Sequence, residues 1–182
     1  MRKEKGQYGY IQYKKIYQLL MTLGCLILVM GILFGGLMYY KTISNIMTVI
    51  AVVIVIPAAK FGVGYIVLIP YKSADESLYK EVRSDKYTLM SDLVITSEQK
   101  IMGVTFAAIK AKRVYCFISH KKTDVAGTEK YLKEILNSEF QGVAVKAFSD
   151  YEKFKNTVSG LEELESDAKD KRIGELLCIY SM

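Results

Sequence analysis

The feature that most restricts this chain is a long stretch without acid. From Ile16 to Tyr71 there is no Asp or Glu, and only Lys41 and Lys60 carry charge. The first apolar run, Ile16 to Tyr40, is uncharged and, at about 1.5 Å of rise per residue, long enough to cross a hydrocarbon core about 30 Å thick. It exceeds the roughly 7 to 15 apolar residues of a signal peptide, and no small-x-small cleavage pattern follows it. It therefore predicts a retained membrane helix over 16–40.

A second helix is expected after the turn "KTISN", starting at Ser44 and reaching Gly64. Pro57 is compatible with it, because a membrane helix tolerates a kink where neighbouring groups satisfy the freed carbonyl. Lys60 then lies about one turn inside the boundary, where its stem lets the ammonium reach the headgroups, making it an interfacial anchor. The continuation to residue 71 either completes a long tilted helix or lies in the interface with Tyr65 and Tyr71 at headgroup depth. Gly24, Gly31 and Gly35 supply small residues for close helix packing within the hairpin.

Charge gives the expected orientation. Residues 1–15 form a basic N-terminus with Arg2, Lys3, Lys5, Lys14 and Lys15 against Glu4 alone, and the inter-helix turn holds only Lys41. The positive-inside rule thus places both termini in the cytoplasm, on a multi-pass protein of the cell membrane. The chain has 182 residues, 51% of them hydrophobic, and a net charge of +6. That surplus belongs to the membrane flank: the seven basic residues before Lys72 face only Glu4, leaving 18 basic against 18 acidic beyond. No nucleic-acid partner is expected of a neutral domain.

Residues 72–182 predict a small mixed α/β domain with the order α-β-β-β-α-β-α-β. Capping boxes are expected at Ser73 with Glu76, Ser149 with Glu152 and Ser159 with Glu162. Three β-rich segments read as an antiparallel meander. "TEKYLKEILNSEF" then "GVAVKAF" reads as a crossover to a parallel strand, and the apolar "ELLCIYSM" as a final strand buried on both faces.

Chemical motifs are few. One histidine and three cysteines without a C-x-x-C support no metal centre, and no nucleotide-binding motif occurs, so no cofactor is expected. A Ser119, His120, Asp124 grouping fails as a triad because adjacent strand residues point to opposite faces. The element order resembles the core of the restriction-endonuclease-like superfamily, whose pattern is an Asp followed by Glu-x-Lys. Asp92, Glu98 and Lys100 match those residue types, and the resemblance implies a Mg²⁺-dependent phosphodiesterase chemistry. Here, however, Glu98 and Lys100 fall in the turn after Asp92's strand, and Ser119 stands where a carboxylate belongs.

"GQYGYI", "TVIAVVIVIPAAK" and "PYKS" resemble a family of small two-helix membrane proteins of Gram-positive anaerobes, some loosely labelled O-linked GlcNAc transferase-like. That resemblance implies a location and no activity. The expected function is a non-catalytic, membrane-anchored interaction or regulatory module, with the bilayer and a membrane or cytoplasmic protein as partners and a homo-oligomer left open. Its expected contact surface is the basic set Lys110, Lys112, Arg113, His120, Lys121 and Lys122. The metal-dependent enzyme is the competing expectation.

Overall fold

The computed structural model describes residues 3–43, 45–97, 100–120 and 123–182. The expected helix start at Ser44 and the candidates Glu98, Lys121 and Lys122 lie outside the described residues. Two long apolar helices precede a small mixed α/β domain, and the chain divides into a hairpin unit, Gln12–Pro70, and a unit formed by Met1–Ile11 with Tyr71–Met182.

The hairpin unit holds most of α1 (Tyr10–Tyr40) and all of α2 (Ile46–Leu68), both long and apolar enough to cross a membrane. Asn45 caps α2, its side chain accepting the Thr48 amide at 3.0 Å, and Pro57 sits inside an unbroken helix. α2 runs past Gly64 to Leu68, so Tyr65 lies in its last turns and Lys60 sits about 12 Å from its end by helical rise. Packing differs from expectation. At Gly24, Gly31 and Gly35 an added Cβ would meet nothing within 4 Å, so these glycines line an open face. The close approaches are instead at Gly36, whose Cβ would lie 2.7 Å from that of Met47, and at Gly64, which seats the Gln18 amide. Buried Ala51 and Ala58, one heptad apart, complete this seam.

The other unit is built on a four-stranded sheet of order β1-β2-β3-β4, with β1 Thr88–Thr96, β2 Ile101–Lys110, β3 Arg113–Phe117 and β4 Ala144–Phe148. β1, β2 and β3 form the antiparallel meander, and β4 joins β3 in parallel through α4 (Val125–Glu139), as the helix-to-strand passage leads one to expect. Leu132 and Leu136 of α4 and Ile173 and Leu177 of α6 (Asp170–Tyr180) pack with Leu93, Val104 and Ile109 on one side. Val82 of α3 (Glu76–Val82) and Phe154 and Val158 of α5 (Tyr151–Ser159) pack with Phe106 and Phe117 on the other.

Three local expectations are corrected. The closing segment is helix, not strand: α6 buries Ile173 and Leu177 one turn apart, and only Ser181 bridges to Ile95. Ser73 does not cap α3, because its hydroxyl is taken by Asp92, and Asp150 rather than Ser149 caps α5 by accepting the Glu152 amide. α5 stops at Ser159, so no helix restarts there.

Both sheet edges are covered. On β4, Glu129 accepts the Ala147 amide at 2.8 Å, and just before the strand Asn137 pairs with both backbone groups of Val143. On β1, Gly6 O accepts the Ser91 amide, Ser181 Oγ accepts the Val94 amide, and the Met182 amide donates to Val94 O. Each device blocks strand addition.

Candidate functional site

Asp92 is 1% exposed and left-handed, with φ of 57°. That conformation breaks the period of two along β1, which is why Met90, Leu93 and Ile95 share one hydrophobic cluster. Asp92 Oδ2 accepts the Ser73 hydroxyl at 2.5 Å, while Oδ1 has no hydrogen-bond partner. Burial pushes its carboxyl above the usual range, opposed by Ser73, by the amides of Ile11 and Gly9, and by nearby Lys3. The carboxylate therefore sits buried beside the start of α1, where Gly9 and Ile11 only partly offset the cost of burying its charge.

Lys100 does not join it. Asp92 lies four residues along β1 from the Thr96–Ile101 pair, about 13 Å at strand rise. Lys100 Nζ instead pairs at 3.3 Å with Asp124. The Asp124 carboxyl is held low, first by the Gly127 amide that it caps and then by Lys100. The triad grouping is likewise dispersed: Ser119 Oγ bonds Thr105 Oγ1 at 2.8 Å, and the His120 ring lies 5.3 Å from that of Tyr71. Burial raises the Cys116 thiol to about 12, leaving no thiolate at neutral pH.

The expected basic surface also separates. Lys110 is buried and donates to Glu162 O at 3.2 Å, and Lys112 pairs with Asp167 at 3.5 Å. Both, with Arg113, flank or form the β2–β3 turn, whereas His120 follows the far end of β3. The two basic turns therefore lie at opposite ends of β3. Tyr71 packs into the α/β unit: it is 9% exposed, its hydroxyl donates to Ile101 O at 2.9 Å, and its ring lies on Gly103, where the missing side chain leaves a slot.

Two features had no periodic signature in the sequence. One is a groove of about 550 Å³ between the β1–β2 connection and α4, lined by Ser97, Lys100, Asp124, Lys130, Tyr131 and Glu134 among others. Its wall carries both signs of charge and one aromatic ring. The other is the N-terminal segment, which folds against β1: Tyr8 stacks on Tyr79 with ring centroids 4.7 Å apart and donates to Ala74 O at 2.9 Å. "GQYGYI" was the only hint, through glycines at 6 and 9 that adopt φ of 82° and 79°. Among the described residues no group of three or more His, Cys, Asp or Glu side chains could hold a metal ion.

Comparison with protein families, with curated proteins and with solved structures returns no match for this chain.

Proposed function

We propose that the protein is a membrane-anchored interaction or regulatory module, in which two spanning helices hold the α/β unit at the inner surface of the cell membrane. The observation that carries this reading is the make-up of that unit, which takes residues from both flanks of the hairpin, Met1–Ile11 and Tyr71–Met182. Two crossings return the chain to its starting side, so a unit drawn from both flanks agrees with a hairpin that crosses twice. The basic N-terminus supports the cytoplasm as that side. Tethering raises the domain's effective concentration towards partners at the same membrane.

The groove beside α4 is the contact surface, taking a partner protein segment of mixed charge. No observation favours the phosphodiesterase reading, since Asp92 and Lys100 are engaged apart from each other. The test is a photo-crosslinking residue at Tyr131 in the full chain within its native membrane. A discrete adduct that disappears on Lys130→Glu supports the module. Adducts unaffected by charge reversal anywhere in the groove contradict it.

A further inference from the structure

The N-terminal segment is attached to β1 in an unusual way for part of a core. No side chain of residues 3–10 belongs to either hydrophobic cluster. It is held instead by polar ties and one aromatic stack: Gly6 O accepts the Ser91 amide at 2.8 Å, Lys5 Nζ donates to the carbonyls of Ser181 and Cys178, and Tyr8 joins Tyr79 and Ala74. Beneath it lie two buried polar atoms with no partner, Asp92 Oδ1 and Ser91 Oγ. Leaving such atoms unpaired weakens the seat. Asp92 adds a left-handed backbone at a residue other than glycine.

We propose that the segment from Lys3 to Gly9, ahead of α1 and of buried Ile11, is a detachable strap, which opens from β1 as a local unit while the four-stranded sheet stays folded. Opening free energies scale with the apolar contact a segment gives up, and this segment gives up little. The open state uncovers the Ser91 amide, the Asp92 carboxylate and Cys178, whose Sγ lies 3.5 Å from Lys5 O. The strap thus works as a conformational switch on the β1 edge. It stands independently of the partner groove, which lies between the β1–β2 connection and α4.

The test is hydrogen exchange on the full chain in lipid nanodiscs, resolved to the Ser91 amide, together with alkylation of Cys178. Local opening makes the Ser91 amide exchange at least tenfold faster than the central amides of β2. It also makes Tyr8→Ala, or the milder Lys5→Met, alkylate at Cys178 at least tenfold faster than the parent while Cys116 stays protected. The proposal is overturned if Ser91 exchanges at the rate of β2, or if Cys178 and Cys116 become reactive together in both variants.

Discussion

Asp170 Oδ2 accepts the amide of Ala111 at 2.9 Å, joining the start of α6 to the β2–β3 turn. Its other oxygen accepts the Lys112 amide at 3.0 Å, and the Asp167 amide donates to Oδ2 at 2.9 Å. Ala111 and Lys112 have φ of 52° and 58°, the left-handed pair of a type I′ hairpin, in residues that do not favour it. Asp170→Ala leaves three amides without their acceptor and is expected to cost about 3 kcal/mol. Ala111→Gly relieves the left-handed backbone and is expected to stabilise by about 0.5–1 kcal/mol. Thermal unfolding of the purified full chain checks both, and a stabilised Asp170→Ala protein would contradict the role given to that carboxylate.

Asp92 gives a pH dependence of definite sign. Its folded-state pKa is raised, chiefly by burial, above the ordinary 3.8. The folded protein therefore binds this proton more tightly than the unfolded chain. The stability it lends is complete below about pH 4 and is lost as pH rises through the folded value. Asp92→Asn removes that dependence, so the stability of the variant minus that of the parent should grow from pH 4 towards neutrality. Melting curves across that range decide it; a difference that shrinks with rising pH would contradict the buried carboxylate.

Gly103 and Tyr71 form a second critical pair. A Cβ at Gly103 would collide with the Tyr71 ring, lying 2.7 Å from Cε1. Gly103→Val is expected to expel the ring and destabilise the unit by about 1–3 kcal/mol. Tyr71→Phe keeps the ring and loses the bond to Ile101 O, about 1 kcal/mol. Denaturation of the two variants side by side gives this order; equal losses would contradict it.

The hairpin makes opposite claims for two sets of glycines. Gly36→Leu and Gly64→Leu place bulk where Met47 and Gln18 already sit, and should lower the melting stability of the hairpin by about 1–3 kcal/mol. Gly24→Leu, Gly31→Leu and Gly35→Leu enter open space and should change little. Thermal stability in detergent separates the two sets, and the reverse pattern would return the packing face to Gly24, Gly31 and Gly35.

The elements legible in the sequence are those with a strong period or a simple composition. The two acid-free apolar runs, the β-rich segments of the meander at hairpin spacing and the Leu132–Leu136 face of α4 all announce themselves locally. The closing segment misleads because a short apolar run suits a buried strand and a packed helix equally, and only the fit of Ile173 and Leu177 against Ile109 and Leu93 decides between them. Ser73 misleads for a similar reason: its hydroxyl could serve a helix cap, and tertiary structure gives it to Asp92 nineteen residues away. Lys110 misleads because charge counting does not register burial, and tertiary structure turns its ammonium to Glu162 O. The strap has no period at all, and its place depends on contacts across the whole length of the chain.

Gly6 and Cys178 offer a direct measurement of whether the N-terminal segment belongs to the α/β unit. A Cβ at Gly6 would lie 3.4 Å from Cys178 Sγ, close enough for a disulfide once a thiol is placed there. Gly6→Cys, in a full chain that also carries Cys25→Ser, is oxidised in membranes and its cross-links are mapped by mass spectrometry. An N-terminal segment that belongs to the α/β unit gives an intramolecular bridge to position 178 in most chains. Well-folded protein whose introduced thiol stays free, or bridges only between chains, would contradict a unit built from both flanks of the hairpin.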